Sequence, residues 1–250
     1  MDNDTFRSLL DSEAALLRGA ASTALEDRVP SCPDWTGRDL VQHVAEVYCD
    51  KTLAISEGAE SESWPPPMPE ADGILDLFDT TLRDLNAQFD SHSASDPAGS
   101  WYTPDQTVGF WIRRMAQETL IHRVDAELAA GKGLSPVDEA FAADGVDEFL
   151  DCMVGFGSVN WNKYLRPVLE AEDGLTLLIR YGSKERTLRV APGGVELDKA
   201  GADECAATVS GDASAVDLWL WRRGDVDSVD VSGDVEAARR FYGIVANFAD

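Results

Sequence analysis

The spacing of apolar positions divides the chain into a helical part and a later mixed part. In the first 130 residues, apolar side chains recur at helical intervals in four stretches, and a fifth such stretch follows Pro136. Beyond residue 166, short runs such as LTLLIRY and RTLRVAP lie between glycine and lysine turns, which is typical of strands. The pattern predicts an α+β protein, with a helical bundle over 1–165 and a small α+β domain over 166–250.

Capping and stop signals mark several of the predicted helix ends. Thr36 followed by Asp39 is a capping pattern for a second helix, and Gly131 is a stop signal for the fourth. Pro136 suits the first position of a fifth helix. The first helix is expected to continue to Arg28, shortly before the first proline.

Composition narrows the range of partners. The chain carries 46 acidic and 21 basic residues, a net charge of -25, which repels nucleic acid phosphates and anionic membranes. We therefore expect neither as a partner. The four cysteines are scattered without a Cys-x-x-Cys pair, and the acidic N-terminus lacks the features of a signal peptide. No apolar run is long enough to span a bilayer, so a cytoplasmic protein is expected.

Two of the three histidines fall on inward faces of predicted helices. His43 shares a face with apolar residues of the second helix, and Glu118, His122 and Asp125 share the apolar face of the fourth. Buried polar groups must satisfy each other or bind something. Two imidazoles and a carboxylate with a position left open suit a catalytic divalent ion, most simply zinc, although iron or nickel also fits. The spacing alone favours a hydrogen-bonded pair in the core over a metal site.

Two segments resemble the motifs of a known family. VPSCPDWTGRDLVQHVAEV and RRMAQETLIHRVDAE resemble those of the mycothiol-dependent maleylpyruvate isomerase family, part of the DinB-like group of metal-binding four-helix bundles. The C-terminal part resembles that family's small α+β domain, which is similar to sterol-carrier-type domains. The resemblance implies that His43, Glu118 and His122 bind zinc. One departure is Gln117, which stands where the family has a histidine that is not an expected ligand.

Further residues have two interpretations each. Asp125 could orient a metal-bound histidine. Arg222 and Arg223 could hold a substrate carboxylate, as the family's use of an arginine from this domain implies, or could be ordinary cations at a helix end. Trp35 is expected to anchor the core rather than to line the site.

The resemblance implies that zinc activates the thiolate of mycothiol, which then isomerises a cis double bond in a maleylpyruvate-like substrate. An S-transferase acting on an electrophile would use the same site. A metal-dependent hydrolase with water in the open position, and a non-catalytic carrier of lipids or other small molecules, are the other interpretations. The expected partners are thus a small-molecule substrate and a thiol cofactor.

Overall fold

The computed structural model describes residues 1–60, 63–225 and 227–249, apart from the side chain of residue 162. Two compact units are present, Met1–Ser135 and Pro136–Asp250. The first consists mainly of helices and the second contains a sheet with helices, which confirms the predicted α+β class. Within the described part of the chain, no helix is both long and apolar enough to cross a membrane.

The first unit is built on four long helices. They are α1 (Asn3–Ala21), α2 (Gly37–Glu57), α3 (Ile74–Ser91) and α4 (Val108–Ala129). Helix α1 packs against α4, and α2 packs against both α3 and α4. Helices α1, α2 and α3 each turn an apolar stripe inward, whereas α4 is buried on all sides along most of its length. Side chains such as Leu10, Leu40, Val44 and Trp111 have no solvent exposure. The packing of α2 on α4 is what brings the two predicted polar clusters to one place.

The predicted helix signals at Thr36 and Gly131 are confirmed. The Thr36 hydroxyl caps α2 by accepting from the amide of Asp39, whose carboxylate accepts from the amide of Thr36 at 2.8 Å. Helix α4 ends just before Gly131, which has a φ of +63° that suits glycine.

The segment between α1 and α2 differs from its prediction. Helix α1 ends at Ala21 instead of continuing to Arg28, and the chain then forms a small antiparallel pair, β1 (Arg28–Val29) and β2 (Cys32–Thr36). The carbonyls of Leu25 and Asp27 accept from the first two amides of α2. These hydrogen bonds favour an end to α1 before Leu25, because they give partners to amides at the start of α2 that have none within that helix.

The second unit contains a five-stranded mixed sheet. Its strands are β3 (Thr176–Tyr181), β4 (Lys184–Ala191), β5 (Gly194–Leu197), β6 (Ala207–Gly211) and β7 (Asp230–Gly233). Their order is β5-β4-β3-β6-β7, with β3 and β6 parallel and the other pairs antiparallel. Consecutive residues Leu177, Leu178 and Ile179 of β3 are all buried, so both faces of the central strand are covered.

Helices precede, follow and interrupt the strands of this unit. They are α5 (Glu139–Glu148), a π-helix (Phe149–Gly157), α6 (Ser158–Asn160), α7 (Asn162–Ala171), a 3₁₀ turn (Ala202–Glu204), α8 (Ala213–Leu220) and α9 (Val235–Val245). Helices α8 and α9 pack against β3 and β6.

The expected boundary at residue 165 falls inside the second compact unit. Helix α5 packs against α8, and the π-helix packs against β5, so both group with the sheet. Helical periodicity reveals an apolar stripe but does not reveal which neighbour covers it. Helix α5 also begins later than predicted, because Asp138 rather than Ser135 provides its cap, accepting from the amide of Phe141 at 3.0 Å.

Candidate metal centre

Helices α2 and α4 bring His43, Glu118 and His122 together. Each offers one ligand atom, and all three atoms lie within 4.8 Å of one another. Glu118 Oε1 is 3.1 Å from His122 Nε2 and 3.6 Å from His43 Nε2. Metal bonds of ~2.1 Å at tetrahedral angles place ligand atoms ~3.4 Å apart, so these separations fit one divalent ion. The three residues therefore form a candidate metal-binding cluster, in which the two separations from Glu118 are close to those around a single ion.

The other nitrogen of His122 is already engaged. His122 Nδ1 lies 2.9 Å from Asp125 Oδ2, and the Ser31 hydroxyl donates to the other carboxylate oxygen. Asp125 is completely buried and an ionised carboxylate only accepts, so Nδ1 is the protonated nitrogen. Asp125 thereby fixes the tautomer that turns Nε2 toward Glu118, as carboxylates do beside metal-bound histidines.

With Nδ1 protonated, positive charge is needed between His122 Nε2 and Glu118 Oε1. A neutral His122 would point the lone pair of Nε2 at a lone pair of Glu118 Oε1 across 3.1 Å. Such a contact is favourable only if a proton or a cation lies between the two atoms. The contact between Glu118 and His122 is thus satisfied either by a proton on His122 or by a bound cation.

Arg114 holds the second oxygen of Glu118. Its guanidinium donates to Glu118 Oε2 from one helical turn earlier, and both side chains are largely buried. This contact leaves Glu118 Oε1 as the oxygen that faces the two histidines. Arg114 is a residue that the sequence analysis missed; the four-residue spacing to Glu118 is a signal, but the neighbouring Arg113 obscures it.

The pKa values follow from these contacts. Burial alone would raise the pKa of Glu118, but Arg114 and the histidines hold it well below its ordinary range. Burial would lower the pKa of His122, yet Glu118 and Asp125 raise it to about 9 in the metal-free protein. A proton on His122 therefore supplies positive charge to the site until a metal ion replaces it.

Two tryptophans flank the histidines. The indole of Trp35, expected to anchor the core, is only half-buried and lies against His43 with ring centres 4.8 Å apart. Its ring centre is also 6.4 Å from that of His122. Trp64 lies 6.3 Å from the His43 ring and is 56% exposed. The hairpin β1–β2, which positions Trp35, has no strong periodic signal, so this arrangement was not predictable from the sequence.

The two arginines proposed for substrate binding lie in the second unit. Arg222 is exposed, stacks 4.2 Å from the centre of the Tyr242 ring, and donates to the Tyr242 carbonyl at 2.7 Å. Arg223 is half-buried and donates to the carbonyls of Trp221 and Ala249 at 2.7 and 2.6 Å. Of the pair, Arg222 has the more accessible guanidinium.

Comparison with known proteins identifies the family. The description "Mycothiol maleylpyruvate isomerase N-terminal domain" matches residues 6–127, and "MDMPI C-terminal domain" matches residues 140–240. The chain belongs to the mycothiol maleylpyruvate isomerase family. The family resemblance of the two motifs is thus confirmed. The second match begins at residue 140, close to the start of the second compact unit.

Other comparisons add little to the family assignment. No curated protein matches the chain. A solved structure titled "UbiJ-SCP2 Ubiquinone synthesis protein" is similar at 16% identity, covering 45% of this chain and 98% of its own, with a TM-score of 0.32. Gln117 stands at the position where the resemblance of the second motif implies a histidine. It is buried on α4 and contributes none of the three clustered ligand atoms.

Proposed function

We propose that this protein is a mycothiol-dependent metalloenzyme that isomerises a cis double bond in a maleylpyruvate-like substrate. His43, Glu118 and His122 would bind the metal ion, most simply zinc. The observation that carries the proposal is the convergence of three ligand atoms within 4.8 Å, with the tautomer of His122 fixed by Asp125. Membership in an isomerase family supports the reaction type.

The charges of the site favour binding of a divalent ion and then binding of an anion to that ion. Glu118 and Asp125 are opposed by the single positive charge of Arg114, which leaves one negative charge when both imidazoles are neutral. A divalent ion would turn this into one positive charge. An anionic ligand such as a thiolate would then neutralise the site, which is favourable in a buried environment.

The chain itself offers few thiols suited to this role. Burial raises the pKa of the Cys49 and Cys205 thiols, so neither is activated. None of the cysteines in the described residues belongs to the cluster of potential metal ligands. An external thiol therefore fits better than a catalytic cysteine. The described residues contain no disulfide between the four cysteines, which is consistent with the reducing cytoplasm that we propose as the location.

A bound zinc ion would supply the Lewis acidity that favours thiolate over thiol at neutral pH. Reversible addition of a thiolate to a double bond conjugated with a carbonyl converts it to a single bond, which can rotate before the thiolate leaves. Within this chain, Asp125 and Arg114 keep His122 and Glu118 oriented throughout. Arg222 or Arg223 is proposed to hold the substrate carboxylate through its planar donors.

A turnover assay tests the proposal. The zinc-loaded protein should isomerise maleylpyruvate only when mycothiol is present, and His122→Ala should abolish this activity while a Ser91→Ala control retains it. Accumulation of a stable mycothiol conjugate with an electrophile would instead identify an S-transferase. Thiol-independent hydrolysis, or lipid bound without turnover, would overturn the thiol-enzyme proposal.

A further inference from the structure

Arg222 has a backbone conformation that arginine rarely adopts. It lies just after helix α8 and has a φ of +60°, in the left-handed region. The amide of Arg222 donates to the Trp219 carbonyl, and the amide of the next residue donates to the Leu218 carbonyl. These two bonds form a Schellman motif, in which the residue at the position of Arg222 is usually glycine, because a Cβ atom there is strained. An arginine at this position is therefore expected to have a role that outweighs the strain.

The other strained residue is explained by contacts within the fold. In the described part of the chain, Asp198 is the other non-glycine residue with a positive φ. Its carboxylate accepts from the Arg186 side chain at 2.7 Å and from the Thr187 amide at 3.2 Å, and both partners belong to β4. Aspartate also tolerates the left-handed region better than arginine does. The role of Asp198 is thus structural.

The Arg222 guanidinium contacts an aromatic residue instead of a carboxylate. Within the described residues, it stacks on the Tyr242 ring and donates to the Tyr242 carbonyl. By contrast, the Arg186 guanidinium donates to the carboxylates of Asp151 and Asp198. Because Tyr242 is uncharged at neutral pH and Arg222 is exposed, the positive charge of Arg222 stays available to an anion. The bond to the carbonyl uses one of the five N–H groups of a guanidinium.

Tyr242 is itself held in place from two sides. Its hydroxyl donates to the Gly224 carbonyl at 2.6 Å, and its ring centre lies 5.2 Å from that of the buried Trp219. A guanidinium that is stacked on a fixed ring loses less side-chain freedom when it binds a ligand. Tyr242 therefore preorganises the Arg222 side chain.

We propose that Tyr242 is a positioning residue, which holds Arg222 in the conformation that binds a substrate carboxylate. Arg222, rather than Arg223, is then the arginine that binds the carboxylate, because Arg223 donates to two backbone carbonyls of its own unit. The strain at Arg222 is retained for ligand binding and not for stability. This inference rests on the proposed function, because it assumes a substrate that carries a carboxylate.

Replacement of Arg222 by glycine separates binding from stability. Glycine relieves the left-handed conformation, so the melting temperature of Arg222→Gly should stay unchanged or rise by up to about 3 °C. In the zinc-loaded protein with mycothiol, its KM for maleylpyruvate should rise at least tenfold, because the carboxylate loses its charged partner. A lower melting temperature would assign Arg222 to the capping of α9, and an unchanged KM would remove it from the site. Either result would overturn the proposal.

Substitutions at Tyr242 test the positioning role. Tyr242→Leu removes the aromatic face and should raise KM about fivefold, while kcat changes less than twofold. Tyr242→Phe loses only the hydroxyl bond to Gly224 and should keep KM within about twofold of the wild type, because the ring and the carbonyl remain. Equal effects of the two substitutions on KM, or a loss of kcat with KM unchanged, would contradict a positioning role.

Asp198→Gly is the matched control for the left-handed position. It also relieves a positive φ, but it removes the bonds to Arg186 and to the Thr187 amide. Its melting temperature should therefore fall, while its KM stays within about twofold of the wild type. A rise in KM as large as that of Arg222→Gly would indicate a general effect on the second unit and would overturn the proposal.

Binding of maleate separates this inference from the proposed function. Maleate carries two carboxylates, and titration calorimetry on the zinc-loaded protein measures its binding without turnover. The wild type should bind maleate, and Arg222→Gly should weaken binding at least tenfold. If mycothiol-dependent turnover occurs but maleate does not bind, or binds independently of Arg222, the inference is wrong while the proposed function stands. If maleate binding depends on Arg222 and on Tyr242 but no mycothiol-dependent turnover occurs, the proposed function fails while the positioning role stands.

Discussion

Replacement of Asp125 by alanine should weaken metal binding without unfolding the bundle. Asp125 is fully buried on α4 and contributes none of the three clustered ligand atoms. Its two oxygens accept from His122 Nδ1 and from the Ser31 hydroxyl. Without the carboxylate, the His122 ring loses both its fixed tautomer and the negative charge that makes Nε2 a stronger ligand.

The size of the effect follows from these contacts. Loss of such an outer partner typically lowers metal affinity ~10–100-fold, which corresponds to ~1.4–2.7 kcal/mol. Asp125→Asn keeps a carbonyl that can accept from Nδ1 but removes the charge, so its loss should be nearer tenfold. Ser31→Ala removes only the hydroxyl bond to Asp125 and leaves the contact between Asp125 and His122, so it should lower metal affinity less than Asp125→Asn does.

Competition titration with a zinc-binding dye would measure the series, with circular dichroism to verify folding. The expected order of affinity is wild type, Ser31→Ala, Asp125→Asn, then Asp125→Ala. A folded Asp125→Ala protein with wild-type zinc affinity would refute the orienting role. An effect of Ser31→Ala as large as that of Asp125→Ala would show that the hairpin position, not the carboxylate, controls the site.

Three further predictions concern metal, pH and substrate. Complete removal of the metal ion by a chelator should lower the melting temperature by about 5–10 °C, because a ligand at 100 times its Kd stabilises the folded protein by ~2.7 kcal/mol. An unchanged transition in calorimetry would contradict a metal site shared by α2 and α4. In the metal-free protein, the folded-state pKa of His122 is raised to about 9, above its unfolded value near 6.5, so its contribution to stability is present below pH 6.5 and is lost as pH rises through 9. Zinc binding in that window should release about one proton from His122, and calorimetry in buffers of different ionisation enthalpy would contradict this if no proton is released. Arg222→Ala should lower kcat/KM for a dicarboxylate substrate about tenfold or more, and equal losses for an uncharged electrophile would argue against carboxylate binding.

Helical periodicity predicted which side chains share a face, and the structure brings them together for that reason. Glu118, His122 and Asp125 are spaced at four and three residues, which fixes them on one side of α4 whatever surrounds it. His43 lies close to them because apolar residues precede and follow it on the same face of α2, and α2 packs against α4. The residues that share a face of each helix could therefore be predicted from the sequence.

Features that depend on contacts between distant segments could not be predicted from the sequence. The connection at Leu25 to Asp27 shortens α1 and forms the hairpin that carries Trp35, yet each residue there is compatible with a helix. Whether Arg113 or Arg114 reaches Glu118 depends on helix phase to within one residue. Helix α5 groups with the sheet because its apolar side packs against α8. The sequence of α5 does not show this, because α8 is distant along the chain.

The spectrum of the cobalt-substituted protein tests the central claim most directly, because it reports the metal ligands and the thiol together. His43, Glu118 and His122 should give a cobalt spectrum at one ion per chain, and mycothiol should add a near-ultraviolet thiolate-to-cobalt charge-transfer band. That band should disappear in His43→Ala and in His122→Ala. Absence of the band at saturating mycothiol, or its persistence in both histidine variants, would contradict the account.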